Sequence, residues 1–170
     1  MTDGMGTGRR VIALVAAAGV LMIAAVPAQG ASQPRWMGLF RAINKVRANH
    51  GLHPIVISTR LHLAARRHSH DMLWRGYFAH TSPTGSTMTD RILRTGYVSG
   101  YNWIAGETLA WGWGTQAGPR ATVRAWLHSP EHRAIVLSPR YKTVGIARSC
   151  GRFLGYSGAC VWTADWVTRW

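Results

Sequence analysis

The sequence predicts a mixed α+β domain in which helical segments come first and a β-hairpin comes last. Two observations support this class. Apolar side chains recur at helical spacing in several segments before residue 129. After Pro139, two β-rich stretches flank a glycine-rich loop. The length of 170 residues suits a single domain.

Four segments show helical spacing together with capping signals. They are residues 36–49, 59–75, 87–95 and 119–128. Gly76 stops the second segment, and Thr87 caps the third with Asp90 three positions on. Pro119 opens the fourth. A fifth helix begins at Ser129-Pro130-Glu131, because serine is a good cap, proline fits the first helical position and glutamate suits the positive helix end.

The two predicted strands cover Val144–Ala147 and Cys160–Val167. Cys150 and Cys160 bracket the glycine-rich loop between them. In an exported protein, two cysteines so placed predict a disulfide that contributes about 2–3 kcal/mol. Without nearby histidines the same two cysteines make a poor zinc site.

The N-terminal segment predicts export. Arg9-Arg10 precede an uncharged, mostly apolar run from Val11 to Val26, and small residues follow it. We therefore expect a signal peptide over residues 1–30 and a domain over residues 31–170. The alternative is a retained anchor, which would place the domain at a membrane. Either way we expect a secreted or cell-envelope location, through the general or the twin-arginine route.

The chain is strongly basic, with 20 Lys+Arg against 6 Asp+Glu and a formal net charge of +14. The arginine excess reflects either genomic composition or attraction to an anionic envelope polymer or lipid. Nucleic acid is not an expected partner, because an exported chain seldom meets it and no nucleic-acid-binding motif is present.

Several familiar motifs are absent or fail on inspection. The glycines of residues 112–118 lack dinucleotide-loop spacing, and no convincing strand precedes them. No G-x-S-x-G or H-E-x-x-H motif occurs. His68 and His70 are two positions apart on a helix and point in different directions. His68 lies on the apolar stripe, so we expect a hydrogen-bonded core histidine.

Three segments remain as carriers of chemistry: residues 78–85, 105–110 and 126–133. In the first, a Ser82–Gly85 turn lies next to an aromatic pair that we expect to be buried, and the two together would fix His80. In the second, Glu107 stands in an apolar setting. A buried carboxylate needs a cation, a donor or a metal.

These segments together resemble the CAP superfamily, also called SCP-like, and most closely its bacterial secreted branch. The matching pieces are F-x-H-x-S-P-x-G at 78–85, G-E-x-x-A at 106–110, and W-x-x-S-P-x-H-R at 126–133 leading to Val144-Gly145. The resemblance spans about residues 39–167. It implies a three-layer α–β–α sandwich with a central cleft.

The resemblance also implies a site. His80, Glu107 and His132 match the two histidines and the first acid of the family's cleft, and the histidines can hold zinc or another divalent metal. The second acid departs from the pattern, since Ser129 stands at its position in this sequence. Glu131 either replaces it or serves as a helix N-terminal acid. Thr108 replaces the usual asparagine.

Two functions remain open. The first is non-enzymatic binding of a ligand or partner at the cell surface: a lipid, a wall polymer or a protein. Trp103, Trp111 and Trp113 either line a groove for it or pack in the core. The second is a metal-dependent hydrolase or peptidase that uses His80, Glu107 and His132. Ser82 or Ser129 would serve as a nucleophile only with a histidine within ~3 Å.

Overall fold

The structure, a computed structural model, describes Met1 and residues 34–170. The predicted signal peptide lies outside these residues apart from Met1. The helices and strands are α1 (Met37–Asn49), β1 (Val56–Ile57), α2 (Thr59–Arg75), α3 (Met88–Leu93), β2 (Trp103–Gly112), α4 (Pro119–His128), α5 (Pro130–Val136), β3 (Thr143–Phe153) and β4 (Tyr156–Arg169). Among these described residues no helix has the length and apolarity needed to cross a membrane.

The predicted helices are confirmed, with bounds that differ by at most about two residues. The hairpin is also present, but β3 continues to Phe153 and β4 begins at Tyr156, so most of the predicted glycine-rich loop is strand. Gly76 ends α2 in the left-handed conformation, and Thr87 with Asp90 forms a reciprocal capping box at α3. The prediction that no strand precedes Gly112 is wrong, because β2 occupies Trp103–Gly112. Its signal is weak because two glycines and a buried Glu107 interrupt the alternation of apolar and polar residues.

The four strands form one sheet in the order β1-β3-β4-β2. The pair β1–β3 is parallel, and the pairs β3–β4 and β4–β2 are antiparallel. Cys150 and Cys160 are directly opposite in the β3–β4 hairpin and form the predicted disulfide. The strand β2 lies at an edge of the sheet, which leaves one of its sides open to the helices and loops around it.

Helices cover both faces of the sheet. On β4, Trp162 and Trp166 belong to the core shared with α1, α4 and α5. Val161 and Val167 belong to two cores on the opposite face, which α2 and α3 complete. The architecture is therefore the expected three-layer α–β–α sandwich, because alternate residues of one strand face different helical layers.

Gly145 lets α2 lie directly on the sheet. It stands on β3 opposite Asp165, and a Cβ atom built there would overlap the backbone of Leu61 and His62 in α2. Since backbone cannot move aside as a flexible side chain can, only glycine fits. This close approach sets the distance between α2 and the sheet face that carries Glu107.

We predict that Gly145→Ala lowers the free energy of unfolding by ~3 kcal/mol or more, because α2 must shift away from the sheet. The matched control is Gly151→Ala on the same strand, where a Cβ would lie 3.4 Å from the Leu73 side chain. We expect the control to cost less than about 1 kcal/mol. Urea denaturation of both variants measures the difference, and equal losses would contradict this account of the packing.

Candidate functional site

Glu107 is the centre of the candidate site. It lies in the middle of β2, opposite Asp165 of β4, and its side chain shares a sheet face with Leu109 and α2. It is only 6 % exposed. A carboxylate this deeply buried requires strong partners, because removing a charge from water is costly.

His80 and Arg91 supply those partners. The Nδ1 atom of His80 is 2.7 Å from Oε1 of Glu107, and the Nη2 atom of Arg91 is 2.7 Å from Oε2. An ionised carboxylate only accepts hydrogen bonds, so both nitrogens donate. Burial acts to raise the pKa of Glu107, but the hydrogen bond from His80 and the charge of Arg91 outweigh it and hold that pKa below its ordinary value.

The loop that carries His80 is fixed by hydrogen bonds. The predicted turn is present, with the Gly85 N–H donating to the Ser82 carbonyl at 2.8 Å. Arg91 donates to the His80 carbonyl at 2.9 Å. The expectation that the aromatic pair is buried is wrong for Phe78, which is 40 % exposed. Hydrogen bonds to the backbone therefore hold His80 in place where aromatic packing was expected.

His68 is the buried, hydrogen-bonded histidine that the sequence predicted. It is 1 % exposed, and its Nε2 atom lies 3.0 Å from the Ala79 carbonyl and 3.9 Å from Oε2 of Glu107. Burial lowers the pKa of His68 to about 4, more than the attraction of Glu107 raises it. The ring is therefore neutral near pH 7, with its hydrogen on Nε2.

Asp165 belongs to the site, although sequence reasoning missed it. It is fully buried, and no donor among the described residues reaches either of its carboxyl oxygens. Its register partner is Glu107. Burial and then the charge of Glu107 raise the pKa of Asp165 well above its ordinary value. Because a second charge beside Glu107 is costly in this buried setting, we expect Asp165 to be the protonated member of the pair.

His132 and its neighbours lie on α5. The Nδ1 atom of His132 is 2.9 Å from Oγ of Ser129, the cap of that helix. Burial and then repulsion by His80 lower the pKa of His132, so the two predicted histidines lie within electrostatic reach of each other. Glu131 is exposed in the first turn of α5 and forms no ion pair within residues 34–170.

The structure thus joins His80 to Glu107 and adds Arg91, His68 and Asp165. It brings His132 near His80 without a direct contact between them. In the part of the chain that it describes, no group of three or more His, Cys, Asp or Glu side chains is arranged to hold a metal ion. Ser82 bonds to Thr84 and Ser86, so it lacks the histidine contact that a nucleophile would need.

Of the three tryptophans near Glu107 in the sequence, two pack against a core, and none lines either of the two pockets described below. Trp103 packs against the core that contains Val167. Trp111 is half-buried beside Phe153, and Trp113 is exposed and stacks on Tyr156 with ring centroids 4.0 Å apart. None of the three contacts Glu107, whose partners are described above.

The three-layer fold and the three motif segments define an SCP-like domain. The family model described as "CAP: Cysteine-rich secretory protein family" matches residues 40–166. This chain therefore belongs to the CAP family.

Its relatives are bacterial. The chain is 33 % identical over 127 residues to the uncharacterized protein YkwD of Bacillus subtilis, covering 74 % of this chain and 44 % of that protein. It thus spans less than half the length of that relative. An extracellular SCP-domain protein of Bacillus anthracis has a similar structure, with a TM-score of 0.63 and 26 % identity over 78 % of this chain and 40 % of that one.

A second similar structure supports the fold alone. An outer surface protein of Borrelia burgdorferi has a TM-score of 0.64 and 22 % identity, covering 78 % of this chain and 90 % of that chain. The same sandwich is therefore kept while most side chains differ.

We predict that Glu107→Gln lowers the free energy of unfolding by about 3–5 kcal/mol, because it leaves Arg91 buried without a counter-charge. Glu131→Gln is the matched control, since it makes the same change at an exposed carboxylate, and we expect less than about 0.5 kcal/mol. Urea denaturation at neutral pH compares the two. Similar small losses in both variants would show that Glu107 is not the anchor of this cluster.

Proposed function

We propose that this protein is exported and binds an anionic amphiphile, a molecule with a negatively charged head and an alkyl chain, in a groove between α1 and α4. The groove has a volume of about 990 Å³. Small-molecule sites usually measure about 300–1,000 Å³, so this groove is large enough for a lipid chain. That groove is the observation on which the proposal rests.

The floor of the groove is apolar. Ala42 and Val46 of α1 face Val123 and Leu127 of α4 across it. Val123 is part of the main core, whereas Ala42, Val46 and Leu127 are only partly buried. An alkyl chain laid here would remove the remaining apolar surface from water, which is the main driving force for such binding.

The rim of the groove is cationic. Arg41 and Lys45 of α1 and Arg120 and Arg124 of α4 line it, and no acidic residue does. All four are exposed, and none forms an ion pair among the described residues. Cations around an apolar floor complement an anionic head with an alkyl tail. An envelope polymer without an apolar part would leave the floor uncovered, so we favour a lipid.

Export fits this ligand and rests on three features. Residues 9–26 have the pattern of a signal peptide, the disulfide between Cys150 and Cys160 suits an oxidising compartment, and the related Bacillus anthracis protein is described as extracellular. Outside the cell, anionic lipids of the envelope are the amphiphiles within reach of a basic domain.

We predict saturable binding of decanoate to residues 31–170 in isothermal titration calorimetry, with no comparable binding of decyltrimethylammonium, which has the same chain and the opposite charge. The double variant Arg120→Ser/Arg124→Ser should bind decanoate about five- to tenfold more weakly, since each exposed ion pair contributes up to about 1 kcal/mol. Ala121→Trp should abolish binding by filling the groove.

The control is Arg66→Ser/Arg152→Ser, which removes two exposed arginines that line neither this groove nor the second pocket described below. This control should bind decanoate within about twofold of the unaltered chain. Equal binding of the two surfactants, or an unchanged affinity in Ala121→Trp, would overturn the proposal.

A second candidate function is hydrolysis, and two contacts favour it. Oγ of Ser129 lies 2.9 Å from Nδ1 of His132, which is the serine–histidine distance that a nucleophile requires. Nδ1 of His80 is held by Glu107, so its Nε2 is left as a bare acceptor able to bind a divalent metal such as zinc, with Nε2 of His132 as second ligand.

Casein cleavage with and without chelator separates these routes. A serine route predicts activity that Ser129→Ala lowers about 100-fold or more and that chelator leaves unchanged. A metal route predicts chelator-sensitive activity that His80→Ala removes. An unaltered chain that cleaves neither casein nor wall peptides would contradict the hydrolase candidate.

A further inference from the structure

A second, smaller pocket lies between α2 and the segment 82–94. Its volume is about 220 Å³. Three arginines and three hydroxyl side chains contribute to its wall: Arg67, Arg91, Arg94, Ser82, Thr84 and Ser86. It is below the usual size of a drug-sized site, so it suits a single small group. It lies on the α2 side of the sheet, whereas the amphiphile groove lies among the helices of the other side.

The cations of this pocket exceed its anions. The acid that lines it, Asp71, already accepts hydrogen bonds from Arg75 at 2.7 Å and Tyr77 at 2.6 Å. Neither Arg67 nor Arg94 forms an ion pair within the described residues, although Asp90 interacts with Arg94 at longer range. The pocket therefore keeps a positive charge that nothing in its wall neutralises.

The pocket also has donors without acceptors. Arg91 is 7 % exposed. Its Nη atoms donate hydrogen bonds to the carbonyls of Ser86 and His80 and to the carboxylate of Glu107. Its buried Nε–H has no acceptor within residues 34–170, which is rare and unfavourable. Ser86 Oγ accepts from Arg94 at 2.9 Å, so its own hydrogen can be donated to a ligand.

One wall residue is an acceptor. His68 lines the pocket, and its Nε2 hydrogen is donated to the Ala79 carbonyl. Its Nδ1 is therefore a bare acceptor, and no donor of the described residues reaches it. An oxyanion that carries a hydrogen satisfies both the donors and this acceptor. Free phosphate carries one near neutral pH and a phosphate monoester carries one below about pH 6, whereas sulfate carries none at either pH.

We propose that this pocket is a phosphate-binding site that takes one phosphate group, either free or as the terminal monoester of a larger molecule. Arginines are preferred ligands of phosphate because their N–H groups match its oxygens. Arg67 approaches from α2, while Arg91 and Arg94 approach from α3 and its C-terminal end. This site shares no residue with the amphiphile groove, and it shares Arg91 with the Glu107 cluster.

Calorimetric titration of residues 31–170 with inorganic phosphate at low ionic strength tests the proposal, at about pH 5.5 so that a phosphate monoester also carries a hydrogen. We expect saturable binding, and at least about tenfold weaker binding in Arg94→Gln and in Arg67→Gln, because each loses a charged donor. Arg66→Gln is the matched control, since Arg66 is exposed on α2 but does not line the pocket, and it should stay within about twofold. Arg91 is left unaltered because it also holds Glu107.

Sulfate and glycerol phosphate complete the test. Sulfate should bind at least about tenfold more weakly than phosphate, because it offers no hydrogen to His68. Tighter binding of glycerol phosphate than of inorganic phosphate would assign the site to a monoester, and the reverse would assign it to the free ion. The proposal is overturned if neither phosphate compound binds saturably. It is also overturned if sulfate and phosphate bind with equal affinity while Arg66→Gln and Arg94→Gln weaken binding equally. That result would show attraction by surface charge alone.

Discussion

The carboxylate of Glu107 is the constraint on which this end of the molecule depends. Its charge is buried at the edge strand of the sheet, so the chain must bring donors to it. His80 and Arg91 do so from a loop and from the short helix α3, which also packs Ile92 into the core that contains Val167. The same arginine holds the His80 carbonyl, and His68 holds that of Ala79. One buried charge thereby orders the segment that follows α2.

The sheet supports this arrangement in two ways. Gly145, which lacks a side chain, lets α2 approach closely enough for His68 to approach Glu107. Asp165, the register partner of both Gly145 and Glu107, adds a second buried carboxyl group, and its raised pKa favours the neutral form beside Glu107. Two carboxyl groups that share one proton can lie side by side in an apolar setting, because only one of them is charged.

The features that the sequence predicted correctly are those set by residues close to one another in the chain. Helix ends follow from caps such as Thr87 with Asp90 and from the glycine at position 76, and these act within a few residues. His80 and Glu107 were predicted to lie in one cleft because their motifs resemble those of the CAP superfamily. The roles of Arg91 and Asp165 were not, because they arise from packing and from a strand pairing that joins residues 107 and 165. Only the assembled sheet shows that Asp165, one acid within an apolar strand, faces Glu107.

The protonation of the two facing carboxyl groups is the most direct test of the account. Carbon-13 NMR of the side-chain carboxyls of Asp165 and Glu107, followed over a pH titration, reads each group separately. The account predicts that Asp165 stays protonated at neutral pH while Glu107 stays ionised at acid pH values where a glutamate with an ordinary pKa has already taken up a proton. Two ionised carboxylates at neutral pH would contradict it, and so would a proton held by Glu107 in place of Asp165.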